Sequence, residues 1–324
     1  MKYFFILWVT AGTVLAAGGS KAQGGAGYPN RPLRFIVPYA AGGNGDIVSR
    51  IIAPKLIAQI GQQVVIDNRG GAGGNIGAEL AARAAPDGYT IMLGTNTHAI
   101  NMSLYAKLGY DLQRDFTPIT LAASAPMVLI VHPSLPAKTV KEFIALAKAY
   151  PNKLNYGTGG SGSSAHVITE LFKSMAGVQL VHVAYKGVAQ STTDLIAGQI
   201  QMTFSSPASA LAHMQAGRVR ALAISSAARS AAAPGLPTLA ESGLPGFDAS
   251  IWQGVFAPAR TPPEIVARLN REITGVLGKS EIKEQLGAQG VDAHTSTPEQ
   301  FAAYVGVEIA KWAKVIKASG AKAD

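Results

Sequence analysis

A loop rich in glycine and hydroxyl residues contains the groups best suited to chemistry in this sequence. It runs Asn155-Tyr-Gly-Thr-Gly-Gly-Ser-Gly-Ser-Ser-Ala-His166, between a short apolar strand pattern and a helix of apolar period. Such a loop presents backbone N–H groups at a helix N-terminus, where the helix dipole also favours negative charge. The loop is therefore predicted to bind a small anion.

A second glycine-rich loop occupies the same kind of position earlier in the chain. Residues 33–37 read as a strand, residues 38–46 (Pro-Tyr-Ala-Ala-Gly-Gly-Asn-Gly-Asp) form the loop, and residues 47–59 read as a helix. Two strand-to-helix loops of this kind predict two α/β lobes that hold one small anion between them.

Further candidate ligand residues follow the strands predicted at 90–93, 181–184 and 202–204. Ligands bind at the carboxyl ends of the strands in open α/β sheets, so residues at these ends are candidates for ligand contact. They are Thr95, Asn96, Ala184, Tyr185, Ser205 and Ser206. For Thr95 and Asn96, a polar turn that closes the lobe is an equally good interpretation.

Enzyme motifs do not account for these loops. Residues 157–162 fit G-x-G-x-x-G, but the next strand, 180–184, does not end in the acid that a dinucleotide site needs. Ser163, Ser164 and His166 lie together, but the sequence has no G-x-S-x-G elbow. The six histidines have no metal-ligand spacing, and there is no cysteine. We therefore predict no catalysis, metal or cofactor, and a secreted enzyme acting on a small acid stays the alternative.

The N-terminus has the pattern of a secretory signal peptide. Lys2 precedes an apolar run over residues 3–17, and small residues then lead to a cleavage signature that ends at Ala22. We expect cleavage near Ala22 and a periplasmic protein; an uncleaved anchor is the alternative. Cleavage there removes two lysines and no acid, which lowers the net charge from +9 to +7. The basic residues are scattered, so nucleic-acid binding is not expected.

The remaining pattern predicts an α/β protein with mainly parallel sheets, because strand-like runs alternate with helical ones. Besides those above, the predicted strands are 64–67, 127–131, 154–156 and 221–225. The tail at 263–317 is helical in period, with helix starts at Thr261-Pro-Pro-Glu264 and Ser296-Thr-Pro-Glu299. We expect this tail to wrap the first lobe.

From Tyr28 almost to its end, the sequence resembles the Bug-type periplasmic receptors of tripartite tricarboxylate transporters. Many ordered segments carry the resemblance. They are Pro29-x-Arg-Pro-Leu-Arg-Phe-Ile-Val-Pro38, Gly42-Gly43 with Asp46, Asn68-Arg-Gly-Gly-Ala-Gly-Gly-Asn-Ile-Gly77, Pro86-Asp-Gly-Tyr-Thr90, Asp115-Phe-Thr-Pro118, Asn155-Tyr-Gly157 with Ser163 and His166, His182-Val-Ala-Tyr-Lys-Gly187, Ala216-Gly217 with Arg220-Ala-Leu-Ala223, and Pro237-Thr238 with Glu241.

The resemblance implies a two-lobed, type II-like Venus flytrap that captures a small carboxylate and delivers it to a membrane permease. It implies no catalysis, and a monomer is expected. Transferred by position, the ligand-binding residues of the two loops are Tyr39, Ala41, Gly42, Gly43, Thr158, Gly159, Gly162, Ser163, Ser164 and His166. The family usually has proline where Ala41 stands, which leaves the shape of the first loop open, and His166 could instead support structure.

The resemblance also implies where the chain passes between the lobes. The first lobe is expected to comprise residues 28–124 and 247–324, and the second residues 125–246, with two crossing segments as a hinge. A dicarboxylate is the preferred ligand, ahead of an aromatic monocarboxylate. A sensor that reports its ligand to a membrane signalling partner would need the same cleft, so the sequence leaves transport and sensing open.

Overall fold

Strands and helices alternate along most of the chain in the computed structural model, which describes residues 27–322. The strands are β1 (Leu33–Val37), β2 (Val64–Asn68), β3 (Thr90–Thr95), β4 (Phe116–Ala125), β5 (Val128–Val131), β6 (Asn155–Thr158), β7 (Val181–Ala184), β8 (Met202–Ser205), β9 (Arg220–Ile224), β10 (Ile251–Pro258) and β11 (Asp292–Ala293). The helices are α1 (Asn44–Ile60), α2 (Asn75–Ala82), α3 (Asn96–Leu104), α4 (Val140–Ala149), α5 (Ser164–Ala176), α6 (Val188–Ile196), α7 (Pro207–Gln215), α8 (Pro263–Leu277), α9 (Ser280–Ala288) and α10 (Pro298–Ser319).

The strands form two sheets, one in each lobe of a two-lobed α/β fold. The first sheet has the order β11-β4-β10-β3-β1-β2, and the second has the order β7-β6-β8-β5-β9. The first sheet thus uses strands from both ends of the described chain, and the second uses only the strands between them. The chain leaves the first sheet through Pro126 and Met127, which join β4 directly to β5. It returns along β10.

Both sheets are mixed, which corrects the expectation of mainly parallel sheets. In the first sheet, β1 pairs in parallel with β2 and β3, whereas β10 is antiparallel to β3 and β4. In the second, β6 pairs in parallel with β7 and β8, whereas β5 is antiparallel to β8 and β9. The antiparallel pairing of β4 with β10 has a simple cause, since β4 carries the chain out of the lobe and β10 brings it back.

The helical tail starts where the sequence predicts and then packs on both lobes. Its first and last helices begin at Pro263 and Pro298, and Thr297 and Gln300 form a capping box at the second start. Helix α10 contacts α3 and β4 of the first lobe, but it also contacts α5 of the second. Its buried Trp312 belongs to a hydrophobic cluster that includes residues of both sheets. The tail therefore packs on the first lobe, as expected, and also on the second.

No helix within residues 27–322 combines the length and the apolar character that crossing a membrane requires. The predicted signal peptide and its cleavage near Ala22 lie outside the described residues.

Candidate ligand-binding site

A buried carboxylate shapes the loop of the first lobe. Asp46 is 2% exposed, and its two oxygens accept hydrogen bonds from the Gly42 N–H (2.9 Å), the Arg50 guanidinium (2.9 Å) and the Asn68 amide (3.0 Å). The bond from Arg50 is the main reason that the pKa of Asp46 falls to about 2. These contacts make Asp46 a structural anchor for the loop. Gly42 also needs the freedom of glycine, because its φ is +82°.

The loop leaves a helix N-terminus available next to the predicted ligand residues. The Gly43 N–H donates to the Ala40 carbonyl at 3.2 Å, so the N–H groups of Gly42 and Gly43 are both used within the loop. Gly43 precedes α1 without a side-chain cap. The free donors of the first turn are therefore the next N–H groups, those of Asn44 and Gly45, for which the described residues supply no acceptor. Ala41 and Gly42 are exposed beside them.

Tyr39, Thr95 and His98 form a buried link between the first loop and the start of α3. The Tyr39 hydroxyl lies 2.5 Å from the Thr95 hydroxyl, and the Thr95 N–H donates to Nδ1 of His98 at 3.0 Å. The Thr95 hydroxyl caps α3 by accepting the Thr97 N–H at 3.3 Å, and His98 takes the place of Glu or Gln in a standard capping box. Burial lowers the pKa of His98 to about 4, so the ring is neutral at pH 7. Asn96, the first residue of α3, is fully buried.

In the second lobe, two stacked histidines support the glycine-rich loop. The rings of His166 and His182 lie 4.1 Å apart and nearly parallel. Nδ1 of His166 accepts the Gly162 N–H at 3.0 Å, and Nε2 of His182 lies 2.7 Å from the Thr158 hydroxyl. His166 therefore uses this nitrogen to hold the loop. His182 was not among the predicted site residues, and only its place in the family-like segment marked it.

Ser163 and Ser164 have different roles at the start of α5. Ser163 is the cap of the helix: its hydroxyl donates to the Gly160 carbonyl at 2.8 Å and accepts from the His166 N–H at 3.4 Å. Ser164 begins the helix, and its hydroxyl accepts a hydrogen bond from the Asn96 amide at 3.4 Å. Since Asn96 belongs to the first lobe, this bond joins the two lobes.

A second contact joins the lobes at the same place. Gly162 has a φ of +75°, and a Cβ atom built on it would lie 2.4 Å from Cδ2 of Leu104 at the end of α3. Helix α3 therefore meets the start of α5 between the lobes, through its first residue, Asn96, and its last, Leu104. Among the predicted residues, this brings Asn96, Gly162 and Ser164 together.

The other predicted residues lie along the edge of the second sheet. Ala184 is exposed at the end of β7, and the half-buried Gly159 follows β6. The Tyr185 hydroxyl donates to Asp194 at 2.7 Å. Burial is the main cause that raises the pKa of Tyr185 to about 12, and the Asp194 carboxylate is the second. Ser206 caps α7. Ser205 is fully buried at the end of β8, and its hydroxyl has no partner among the described residues.

Two buried side-chain oxygens of the first lobe also lack a partner within residues 27–322. They are Oδ1 of Asn96 and Oε1 of Gln253 on β10, which pairs with Thr95 across the sheet. A buried polar atom is normally hydrogen-bonded, so atoms without a partner near a cleft point to a ligand or to ordered water. Gln253 was not predicted from the sequence, although a glutamine within the apolar run Ile251-Trp-Gln-Gly-Val-Phe256 is the signal that could have found it.

The arrangement suits a small anion held by neutral donors. Neither glycine-rich loop contains arginine or lysine. The N-termini of α3 and α5 meet where the two lobes touch, and their N–H groups and dipoles favour negative charge there. Hydroxyl and amide groups stand beside them and can orient the rest of the ligand.

Comparison with known proteins shows the family of this chain. The family model described as "Tripartite tricarboxylate transporter family receptor" matches residues 48–321. Protein BugT of Bordetella pertussis is 37% identical over 98% of each chain. The structure of Rpa4515 from R. palustris with adipate is 40% identical, covers 91% of this chain and 99% of its own, and superposes with a TM-score of 0.76. MatC (Rpa3494) from Rhodopseudomonas palustris with bound malate is 32% identical over 89% of this chain and 100% of its own, with a TM-score of 0.72.

These proteins are receptors and not enzymes, so the expectation of no catalysis is confirmed by the family. The two-lobed fold, the order of the sequence motifs and the extent of the matches agree with one another. The chain belongs to the Bug-type receptors of the tripartite tricarboxylate transporter family.

Proposed function

We propose that this protein captures a small dicarboxylate between its two lobes in the periplasm and delivers it to the membrane permease of a tripartite tricarboxylate transporter. The observation that carries the proposal is the meeting of α3 and α5 across the cleft, where Asn96 bonds Ser164. A ligand held there touches both lobes, which is what a receptor needs if binding is to change its shape.

The relatives support a dicarboxylate as the ligand class. Adipate and malate are both dicarboxylates, and they occupy two proteins that share this fold over most of the chain. The N-terminus of α1 in one lobe and that of α5 in the other offer one anion site each. Two such sites fit a ligand with a carboxylate at each end.

The proposed contacts follow from this placement. The N–H groups of Asn44 and Gly45 and the loop at Tyr39–Gly43 would hold one carboxylate. Gly159, Ser164 and their neighbours would hold the other. The remaining ligand-binding residues of the proposal are Thr95, Asn96, Thr158, Gly162, Ser163, His166, Ala184, Tyr185, Ser205 and Ser206. Several of them, such as Ser163 and His166, would act by shaping the loop.

The remaining features of the proposal concern the mature protein. Export with cleavage near Ala22 would yield a periplasmic monomer. Its first lobe would comprise residues 28–124 and 247–324, and its second lobe residues 125–246. Closure over the ligand would present surfaces of both lobes to the permease.

Ligand binding is tested on purified residues 23–324 after unfolding and refolding have removed any bound ligand. Thermal unfolding is followed against C3 to C6 dicarboxylates, with tricarboxylates, amino acids and aromatic acids as comparison. A ligand at a hundred times its Kd adds about 2.7 kcal/mol, which raises Tm by roughly a few degrees. A shift confined to aromatic acids, or no shift with any acid, would contradict the proposal.

Delivery needs a test of its own. Uptake of the labelled ligand is measured in cells that contain the permease, with and without this receptor. Transport that depends on the receptor is expected, and Ser164→Ala should reduce it at low ligand concentration. Unchanged uptake without the receptor would contradict delivery and leave ligand binding intact.

A further inference from the structure

Gln253 is a buried polar residue that the site described above does not yet use. It is 2% exposed on β10, and its amide oxygen has no hydrogen-bond partner among the described residues. Such an oxygen, left unpaired, carries a desolvation cost that no hydrogen bond offsets. A residue that carries this cost in an otherwise apolar strand calls for a partner from outside the chain.

The position of Gln253 in the sheet places it beside the ligand site. It is paired with Thr95 in the antiparallel ladder between β10 and β3. Residues directly opposite each other in such a ladder have their side chains on the same face. Trp252 packs with Phe301 and Tyr304 of α10, so Gln253, next in the strand, faces the other side of the sheet.

That other side carries the first-lobe loop. Val255, two residues along the strand, belongs to the hydrophobic cluster that includes Val48 of α1 and Leu93 of β3. Thr95 bonds the Tyr39 hydroxyl there, and Gly45 in the first turn of α1 lies against Tyr39 and Leu93. The Gln253 amide therefore lies at the end of the sheet where α1 and α3 begin.

The chemistry of the unpaired atom limits what can satisfy it. A carboxylate has only acceptor oxygens, so it can accept a hydrogen bond from the amide nitrogen of Gln253 but cannot pair with the amide oxygen. Oδ1 of Asn96, next in sequence to Thr95, is a second buried oxygen in need of a donor. The Asn96 amide nitrogen already donates to Ser164, so the oxygen is the free end of that side chain. A hydroxyl group on the ligand supplies the donor that the carboxylates lack.

We propose that Gln253 is a ligand-contacting residue whose amide oxygen accepts a hydrogen bond from a hydroxyl group of the ligand, so that the protein distinguishes hydroxylated from unsubstituted dicarboxylates. The inference rests on the proposed function, because it needs a dicarboxylate in the cleft. It adds a residue from the returning strand to a site otherwise built from loops and helix N-termini.

The test compares pairs of ligands that differ by one hydroxyl group: malate with succinate, 2-hydroxyglutarate with glutarate, and 2-hydroxyadipate with adipate. Calorimetry on ligand-stripped residues 23–324 gives Kd for each. For the pair of fitting length, the hydroxylated acid is expected to bind about tenfold or more tightly, as an unpaired buried oxygen implies.

Two variants separate the amide oxygen from the rest of the site. Gln253→Met keeps the length of the side chain without its amide, and it should lose the preference, so that the hydroxylated acid binds about as tightly as the unsubstituted one. Gln289→Met, at an exposed glutamine, should keep the preference. Circular dichroism shows whether Gln253→Met folds. If it does not, the wild-type affinities for the paired acids still show whether the protein prefers the hydroxylated acid.

The outcomes separate the two proposals. Equal affinities within every pair, or a preference that survives in Gln253→Met, would overturn the role of Gln253 and leave the receptor function standing. Binding of none of the six acids would overturn the dicarboxylate proposal itself.

Discussion

At the scale of single residues, the cap of α3 contains an ionisable side chain where a neutral one would serve. Nδ1 of His98 accepts the Thr95 N–H, and burial holds the pKa of His98 at about 4, against an ordinary value of 6.5. Below pH 6.5 the unfolded chain takes up a proton that the folded chain excludes. The free energy of unfolding therefore falls as the pH falls from about 6.5 to about 4.

We expect His98→Gln to remove this part of the pH dependence. Glutamine can also accept the Thr95 N–H, so the cap persists without a titrating ring. Between pH 7.5 and pH 5, the variant should lose about 2 kcal/mol less of its unfolding free energy than the wild type. Urea unfolding at the two pH values measures the difference. An identical loss in both proteins would mean that His98 is not excluded from protonation in the folded state.

The adjacent serines at the start of α5 provide a second prediction at this scale. Ser163→Ala removes the helix cap and should lower the unfolding free energy by about 1 kcal/mol. Ser164→Ala removes only a half-buried hydroxyl that bonds Asn96 across the cleft, so stability should change by less than about 0.5 kcal/mol while ligand affinity falls. Denaturant unfolding and calorimetry on both variants test the division. The reverse pattern would contradict these roles.

At the scale of elements, helix α10 is fixed to the returning strand through one buried carboxylate. Glu308 is 2% exposed, and its Oε2 accepts hydrogen bonds from the indole nitrogens of Trp252 and Trp312, both at 2.9 Å. Lys311 pairs with the other oxygen. This group fixes the tail to β10, the strand along which the chain returns to the first lobe.

We expect Glu308→Ala to destabilise the protein by about 3 kcal/mol or more, because it leaves two buried indole donors without an acceptor and removes the ion-pair partner of Lys311. Glu308→Gln keeps an acceptor and should cost less. Trp252 and Trp312 are the only tryptophans left once the residues up to Ala22 are removed, so their fluorescence reports on this group alone. Glu284→Ala, at an exposed glutamate, is the matched control and should change stability little. A small effect of Glu308→Ala would mean that contacts other than those of Glu308 hold the tail in place.

The sequence predicts the elements with clear local signals better than those that depend on distant partners. β1 and β7 have the predicted bounds, and the first and last helices of the tail begin at the prolines that mark them. β4 and β10 were not predicted, because they carry the chain between lobes and their antiparallel pairing is decided by that return path. The glycine-rich loops of the site can be recognised from the local sequence. Gln253 and His182 are brought to the site only by the pairing of their strands with other strands.

At the scale of the whole molecule, the start of α5 in the second lobe contacts α3 in the first, and one long helix packs on both lobes. Asn96 bonds Ser164, and Gly162 lies against Leu104. Helix α10 packs on both lobes behind them. Opening of the lobes at this place would break the first two contacts, so ligand binding and lobe position should be coupled.

We expect ligand to shorten the distance between the lobes in solution. The sequence has no cysteine, so Ala85→Cys in the first lobe and Ala189→Cys in the second, both exposed, carry the only two spin labels. Double electron–electron resonance should show a shorter and narrower distance distribution with ligand than without it. A pair within the first lobe, Ala85→Cys with Glu264→Cys, should not change. Gly162→Ala, whose added methyl group meets Leu104 at 2.4 Å, should hinder the shift. If saturating ligand leaves the distribution between lobes unchanged, the lobes do not close on the ligand and the coupling is wrong.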